Sequence, residues 1–260
     1  MCGIVGISAE TNVAAEIYDS LLMLQHRGQD AAGMVVCDLD GKLKSRKSMG
    51  YVRDVFQQNH MEKLIGSYGI GHVRYPTAGG TGKEFAQPMY VNSPYGISIA
   101  HNGNLTNAKE LANQLFHAEM RHLNTDSDSE VLLKLFAYEL YKTNFKSLKN
   151  KHVFTALKSV FSQCDGGYAV VMLISGVGIV AFRDPHGIRP LVLGQSKSSY
   201  MLASESAALN ALGYKFLYDV KPGEAIILDQ NGKVSKRQCI KRNTHSPCPV
   251  SYTHLRAHDT

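Results

Sequence analysis

Short apolar runs recur along most of the chain, each bounded by glycine, proline, asparagine or aspartate. Many are rich in β-branched residues, and several are apolar along their whole length, which is typical of strands buried on both faces. Gly-Val-Gly at residues 176–178 interrupts the longest apolar stretch and predicts a hairpin, and that stretch is too short for a membrane-spanning helix. The runs that predict strands are CGIVGIS, GMVVCDL, YGIGHVRY, GISIAHNG, YAVVMLI, GIVAFRD, PLVLG, YMLASE and EAIILD.

Apolar residues at helical spacing predict four helices between these strands. The first covers about residues 13–26, with Asn12 as its candidate cap. The second and third begin near Asn107 and Ser127, each with a glutamate three residues on, as in a capping box. The fourth covers about residues 153–161. Many strands and few helices, with both sheet faces covered, predict an α+β fold in which sheets lie between helical layers.

The composition indicates an ordinary globular protein, because 44% of the 260 residues are hydrophobic and 19% are charged. The five cysteines are an odd number without Cys-x-x-Cys spacing, which predicts reduced thiols and a cytoplasmic location. The N-terminus has neither the basic region nor the long apolar run of a signal peptide.

The net charge of +6 is concentrated at the end of the chain. Residues 233–260 carry six lysines and arginines against one aspartate, so the preceding 232 residues are close to neutral. A nucleic-acid-binding face requires a basic stripe, so we expect no nucleic acid as a partner, and nothing in the pattern predicts a membrane partner. The periodic pattern ends after about Ile240, so residues 241–260 are predicted to be a linker or a frayed end.

Cys2 directly follows the initiator methionine and is followed at once by a predicted strand. A thiol becomes a strong nucleophile only when a base helps it to ionise. If Met1 is removed, the α-amine of Cys2 supplies that base, since its ordinary pKa is about 7.7–8.0. The position therefore points to an N-terminal nucleophile, while a small apolar residue in an edge strand is the alternative.

Two other predicted strands end in polar motifs. GHVRYPTAGGTGKEF, residues 71–85, brings Arg74 to a strand end suited to binding a carboxylate, and its proline- and glycine-rich continuation is typical of a lid. AHNGNLTN, residues 100–107, ends a strand at Asn102 and Gly103. Asn-Gly is typical of a hairpin turn, but the helix predicted after it favours a second interpretation, an oxyanion-binding amide beside a backbone N–H.

The segment NTDSDSE, residues 124–130, places three carboxylates at a predicted helix start. Capping and the helix dipole explain much of this run. They leave one carboxylate free to face a ligand ammonium group. The carboxylates are Asp126, Asp128 and Glu130.

The chain resembles the class II glutamine amidotransferases over about residues 2–240, in the order of its motifs MCGIVGI, LQHRGQDAAG, GHVRYPTAG, AHNGNLTN, SDSE and FRDPHGIRPLVLG. Within that family, the residues of these motifs are similar to those of the glutaminase domain of the amidophosphoribosyltransferases. The resemblance implies the fold of the N-terminal-nucleophile hydrolases, a four-layer αββα sandwich of two stacked, mainly antiparallel sheets.

The resemblance also implies a reaction, in which glutamine is hydrolysed to glutamate and ammonia through a thioester on Cys2. Asp126 is left as a capping residue and RDPHGIRPL as scaffold. The residues implied are Cys2, Asn102 and Gly103 for catalysis, Arg27, Gly28, Arg74 and Asp128 for binding glutamine, and Tyr75 and Thr77 in the lid.

In the family, the chain continues past a segment like residues 246–248 into a second domain. That domain uses magnesium, and with ammonia it converts phosphoribosyl pyrophosphate to 5-phosphoribosylamine for purine biosynthesis; full-length relatives are homo-oligomers. Because the last ten residues, SYTHLRAHDT, do not resemble the family, we expect a fragment without this domain that at most hydrolyses glutamine. We expect no metal or other cofactor in this chain. Cys248 matches a cluster ligand of some members, but one cysteine cannot hold an iron–sulfur cluster.

Two alternatives stay open at this point. The first keeps glutamine hydrolysis but changes the ammonia acceptor, as in glucosamine-6-phosphate synthases or glutamate synthases. The motif sequences HRGQDAAG and RYPTAG favour the amidophosphoribosyltransferase type over this alternative. The second is a folded domain that binds without catalysis, which would follow if Met1 were retained or if the lid needed a partner domain to close.

Overall fold

The structure is a computed structural model, and it describes residues 1–76, 80, 82–197, 199–230, 232–241 and 245–249. Two sheets make up its centre, and every strand pairing within them is antiparallel. One sheet has seven strands in the order β11-β9-β10-β1-β4-β2-β3, and the other has six in the order β13-β12-β8-β7-β6-β5. The strands are β1 Gly3–Ser8, β2 Ala31–Cys37, β3 Leu43–Met49, β4 Tyr68–Arg74, β5 Met89–Val91, β6 Ile97–Leu105, β7 Gly166–Ile174, β8 Gly178–Arg183, β9 Val192–Ser196, β10 Ser199–Ala203, β11 Lys215–Asp219, β12 Glu224–Asp229 and β13 Val234–Gln238.

The helices cover the outer faces of the two sheets. Apolar residues of α1, α2 and α7 form one cluster with the seven-stranded sheet. Those of α4, α5 and α6 form another with the six-stranded sheet. A third cluster holds residues of both sheets. The helices are α1 Ala14–Met23, α2 Val52–Val55, α3 Gln58–Met61, α4 Ala108–His117, α5 Asp128–Lys142, α6 Asn150–Gln163 and α7 Ser206–Ala211, with 3-10 turns at Gln25–Arg27 and Lys83–Phe85.

This arrangement confirms the expected four-layer αββα sandwich. Strand β7 shows why its sequence is apolar throughout. The even-numbered residues from 168 to 174 pack against the helices, whereas the odd-numbered residues from 169 to 173 pack against the other sheet. Because both faces of the strand are buried, the alternation that marks a half-exposed strand disappears. The predicted hairpin at residues 176–178 is also confirmed, since β7 and β8 pair from Ile174–Gly178 outward.

Two predicted helix ends differ from the structure. The first α-helix ends at Met23, and the chain continues as the 3-10 turn Gln25–Arg27, whose last side chain is buried. Asn107 does not cap the helix that follows it, because its amide group bonds instead to Gln163 and Asp165. Since these partners lie more than fifty positions away, a local pattern does not reveal them.

The start of α5 follows the prediction only in part. Ser127 is its cap and accepts a hydrogen bond from the Ser129 N–H at 3.3 Å. Glu130 does not complete a capping box, because its carboxylate accepts hydrogen bonds from Asn124 and Thr125. The glutamate therefore fixes the loop before the helix. Among the helices of the described residues, none combines the length and apolar character needed to cross a membrane.

Candidate active site

Cys2 lies immediately before β1, which runs through the middle of the seven-stranded sheet between β10 and β4. Its thiol is 3.9 Å from the carbonyl oxygen of Tyr75, the residue after β4. Burial raises the pKa of the Cys2 thiol above its ordinary value. The thiol of this Met1-bearing chain therefore favours the neutral form and needs a base to become a nucleophile.

A small cavity of about 30 Å³ brings most of the predicted residues together. It is lined by Cys2 and by Arg74, Tyr75, Gly103 and Asp128, which come from β4, the segment after it, β6 and the start of α5. A cavity of this size has room for a water molecule.

Arg74 ends β4 and is almost completely buried. Its Nη1 lies 2.7 Å from Oδ2 of Asp30, and its Nη2 donates to the carbonyl oxygen of Gly80 at 2.6 Å. The guanidinium carbon is 5.4 Å from the centre of the Phe85 ring. The side chain is thus held at the cavity by one carboxylate and by the segment between β4 and β5. Thr77 of that segment lies outside the described residues.

Asp128 is the first residue of α5, where the helix dipole favours a carboxylate. Its Oδ2 accepts the backbone N–H of Leu105 at 3.0 Å. Its Oδ1 is 3.4 Å from the hydroxyl oxygen of Ser129 and 3.7 Å from Nδ1 of His101. About a fifth of the side chain is exposed, so the carboxylate is fixed but still accessible from the cavity.

The sequence predicts that this strand ends at Asn102 and Gly103. In the structure, β6 continues to Leu105 and pairs with β7 throughout. Asn-Gly is therefore neither a turn nor a strand end. A side chain on residue 103 would place Cβ 2.2 Å from the carbonyl oxygen of Gly167, so only glycine fits this position. The close approach of β7 explains the glycine that a turn was expected to explain.

The side chains of Asn102 and of residue 103 belong to different faces of β6. Asn102 pairs with Ala169 of β7, and Ala169 belongs to the cluster between the two sheets. Asn102 is almost completely buried, and its Nδ2 has no hydrogen-bond partner among the described residues. A buried donor without a partner is costly. Such a donor is what an oxyanion site requires, although Asn102 is not among the residues that line the cavity.

Arg27 and Gly28 are expected to line the glutamine pocket, and in the structure both contact the backbone of other predicted site residues. Arg27 is fully buried, and its Nε donates to the carbonyl oxygen of Cys2 at 3.0 Å. Its Nη1 forms an ion pair with Glu205, which also lies 3.0 Å from Nε2 of His26. A side chain at Gly28 would lie 2.5 Å from the carbonyl carbon of Arg74. Neither Arg27 nor Gly28 is among the residues that line the cavity.

The run RDPHGIRPL is expected to be scaffold, and Arg183 and Asp184 form hydrogen bonds that fit this expectation. Arg183 is fully buried and donates to the carbonyl oxygens of Gly187, Arg189 and Val220. Asp184 accepts backbone N–H groups of the same turn. The side chain of Arg189 reaches further, because its Nη1 lies 2.8 Å from the sulfur of Met1.

The chain terminus at Met1 is half-buried. Burial lowers the pKa of the Met1 α-amine, and the nearby guanidinium groups of Arg27 and Arg189 act in the same direction. Cys248 lies close to the same group, with its sulfur 3.8 Å from Nη1 of Arg189. Among the described residues, no cluster of three or more histidines, cysteines, aspartates and glutamates is arranged to hold a metal ion.

Comparison with known proteins shows the family to which the chain belongs. A family model described as a glutamine amidotransferase domain matches residues 80–211, about half of the chain. The chain belongs to this family. Among curated relatives, the amidophosphoribosyltransferases of Pseudomonas aeruginosa and Escherichia coli are 53% and 51% identical to it, each over 100% of this chain and 52% of the relative. The amidophosphoribosyltransferase of Saccharomyces cerevisiae is 46% identical over 100% of this chain and 53% of its own length. The chain thus spans about half the length of the curated relatives it matches.

Solved structures of family members have the same fold. The glutamine phosphoribosylpyrophosphate amidotransferase from B. subtilis, complexed with ADP and GMP, superposes with a TM-score of 0.83 at 33% identity, covering 96% of this chain and 52% of that one. A protein from Silicibacter pomeroyi described as a glutamine aminotransferase class-II domain protein has a TM-score of 0.55 at 13% identity, covering 92% of this chain and 100% of that one. The second likeness concerns the fold alone.

Proposed function

We propose that this chain is the glutamine-hydrolysing part of an amidophosphoribosyltransferase, with Cys2 as its nucleophile once Met1 has been removed. The observation that carries the proposal is the cavity that joins the Cys2 thiol to Arg74, Gly103 and Asp128. A nucleophile, an oxyanion donor and two opposite charges meet there, which are the groups needed to bind an amino acid and cleave its side-chain amide.

The reaction follows from these groups. The free α-amine of Cys2 takes the thiol proton, and the sulfur attacks the side-chain amide carbon of glutamine. The backbone N–H of Gly103 and the unpartnered Nδ2 of Asn102 stabilise the oxyanion that forms. The C–N bond breaks, ammonia leaves with the proton, and water hydrolyses the thioester to release glutamate.

The two ends of the amino acid fit the two charged residues of the cavity. Arg74 binds the α-carboxylate, which takes the place of the Gly80 carbonyl oxygen on Nη2. Asp128 binds the α-ammonium group. Tyr75 and Thr77 belong to the lid, and Arg27 and Gly28 hold the backbone of Cys2 and of Arg74 in register. Each of these roles is part of the proposal.

The acceptor reaction is proposed for the whole protein. The similarity to amidophosphoribosyltransferases supports phosphoribosyl pyrophosphate as the acceptor of ammonia and purine biosynthesis in the cytoplasm as the setting. No residue of this chain is assigned to that step, and no cofactor is assigned to this chain. Supplying phosphoribosyl pyrophosphate and ammonia to the 260-residue chain is expected to give no phosphoribosylamine. Turnover in that assay would overturn this division of labour.

The proposal is tested by intact-mass spectrometry before and after treatment with a diazo-ketone analogue of glutamine, followed by peptide mapping and an ammonia-release assay. We expect a chain without Met1, one adduct on Cys2 and release of ammonia from glutamine. Cys2→Ala is the control and is expected to give neither adduct nor ammonia.

Two other results would contradict the proposal in different ways. A processed chain that forms no adduct and releases no ammonia would favour a domain that binds without catalysis. A chain that retains Met1 would remain inactive, since its amine lies one residue away from the thiol.

A further inference from the structure

Gln87 is a buried polar residue whose side chain bonds to both β6 and α5. No pattern in the sequence marks it. Pairing between β5 and β6 stops at Met89 and Ile99. Two residues further along β6, the backbone N–H of His101 would lack a partner on that side. The Oε1 of Gln87 accepts it at 2.7 Å. The side chain thus replaces a rung of the sheet just before Asn102 and Gly103.

The other end of the same amide group reaches α5. A backbone N–H only donates, so the bond to His101 fixes Oε1 on that side and directs Nε2 to the other. Nε2 donates to the hydroxyl oxygen of Ser129 at 3.0 Å. That oxygen lies 2.9 Å from Nδ1 of His101 and 3.4 Å from Oδ1 of Asp128. Gln87 therefore links β6, which carries Asn102 and Gly103, to the start of α5, which carries Asp128.

The backbone at Gln87 is itself fixed against the seven-stranded sheet. Lys47 donates to the carbonyl oxygen of Ala86 at 2.6 Å. Gly33 lies so close that a Cβ there would be 2.1 Å from the carbonyl oxygen of Gln87. From the same sheet, Nε2 of His72 lies 3.2 Å from the carbonyl oxygen of His101. Both backbone polar groups of His101 are thus held by side chains, one from β4 of the seven-stranded sheet and one from the segment before β5.

We propose that Gln87 is a positioning residue of the glutamine site, which sets the separation between Asn102–Gly103 and Asp128. The inference rests on the proposed function, because those residues contact the two ends of glutamine. Gln87 also lines the cavity, but both of its polar atoms are used by protein groups, so its polar influence on the substrate passes through its neighbours. Its role is to make the oxyanion donors and the ammonium-binding carboxylate a single rigid unit.

The test compares glutamine with glutaric acid monoamide, which has the same amide and carboxylate but lacks the α-ammonium group. Gln87→Met keeps the length of the side chain and removes both hydrogen bonds. Ser129→Ala keeps the bond between Gln87 and the His101 N–H and removes the contacts of the Ser129 hydroxyl with Gln87, His101 and Asp128. Ser98→Ala is the control. Ser98 is fully buried in β6, the strand that carries Asn102 and Gly103, and its hydroxyl has no partner among the described residues. Rates are expressed per Cys2 labelled by the diazo ketone, so that loss of folded protein does not count.

In Ser129→Ala we expect the preference for glutamine in kcat/KM to fall roughly tenfold, with the rate on the monoamide within about twofold of the original. In Gln87→Met we expect the same loss of preference and a further fall of roughly tenfold in kcat on both substrates. The double variant is expected to show no further loss of preference, since the two residues act in one chain of bonds. Ser98→Ala is expected to change none of these ratios.

The inference is overturned if Gln87→Met behaves like Ser98→Ala, or if Ser98→Ala loses the preference equally. If the original chain releases ammonia from neither compound, the proposed function fails, and the positioning role is then judged by binding. Calorimetry on the Cys2→Ala chain is expected to show tighter binding of glutamine than of the monoamide, and Gln87→Met in that background is expected to reduce the difference. An unchanged difference, or no binding of either compound, overturns the inference.

Discussion

Arg27 and Arg74 both lie next to Cys2, but they differ in what holds them. Arg27 is fully buried, and its partner Glu205 is almost as deeply buried. Arg74 is paired with Asp30, about a fifth of whose side chain is exposed, and with a carbonyl oxygen of the segment after β4. A buried ion pair cannot release one member cheaply, whereas a partly exposed pair can exchange a partner for a ligand. The family resemblance implies that both arginines serve the glutamine site, which stays a prediction, and the partners of Arg27 favour a structural role while those of Arg74 favour a binding role.

The largest effect is expected at the buried pair. Glu205→Gln leaves the Arg27 guanidinium buried without its counter-charge, so we expect the free energy of unfolding to fall by about 3–5 kcal/mol. Asp30→Asn, the equivalent change beside Arg74, is expected to cost less, because about a fifth of the Asp30 side chain is exposed and Arg74 keeps the Gly80 carbonyl oxygen as a partner. Urea denaturation of the two variants measures both values. Similar losses for the two would contradict the distinction drawn between the arginines.

The second effect separates binding from stability at Arg74. Arg74→Lys keeps the charge but loses the planar pair of donors that suits a carboxylate. We expect KM for glutamine to rise roughly 10- to 150-fold, the value of a hydrogen bond between charged groups of about 1.5–3 kcal/mol, with little change in kcat or in stability. Steady-state ammonia release measures the effect. Arg46→Lys on the edge strand β3 is the control, and an equal rise in KM there would remove the assignment of Arg74 to the substrate carboxylate.

The fold could be predicted from the sequence where strands are buried, and not where they lie at an edge. All nine predicted strands are present. The four that were not predicted, β3, β5, β11 and β13, are the four edge strands of the two sheets. β3 and β13 are rich in charged or polar residues, as edge strands commonly are, whereas β5 has only three residues and the short β11 begins and ends with a charged residue. An edge strand lacks the apolar pattern on which the prediction depends, since one of its sides and often one of its faces meet water.

The site divides in a similar way. Cys2, Arg74 and Asp128 stand in motifs, and the structure brings them to one cavity. Glu205 and Gln87 were not predicted, because nothing around them in the sequence marks them. Glu205 meets its arginine 178 positions away, and Gln87 meets the helix 42 positions away. Residues that contact a substrate recur in recognisable motifs, whereas the residues that hold them are defined by contacts that only the folded chain creates.

The smallest effect concerns the exposed end of the Arg27–Glu205 pair, where His26 is half-exposed. The hydrogen bond to Glu205 raises the pKa of His26 above its ordinary value, although burial acts against it. The folded chain therefore holds this proton more tightly than the unfolded chain. The resulting stability is fully present below the unfolded pKa of about 6.5 and is lost as the pH rises through the folded pKa. Since His26 is half-exposed, we expect no more than about 1 kcal/mol.

Urea denaturation between pH 6 and pH 8 measures this contribution only as a difference between the original chain and its His26 variant. Burial lowers the pKa of the Met1 α-amine and of His101, and it lowers the pKa of His72 to about 3, so these groups add stability as the pH rises and act in the opposite direction to His26. The stability that His72 contributes is present above about pH 6.5 and is lost only as the pH falls towards its folded pKa. His26→Gln is expected to flatten the decline of stability towards pH 8, and the exposed His117→Gln is the control that keeps it. A decline that survives in His26→Gln would place the titrating group elsewhere. Glu205 would then act through Arg27 alone, and the buried pair would carry the whole difference between the two arginines.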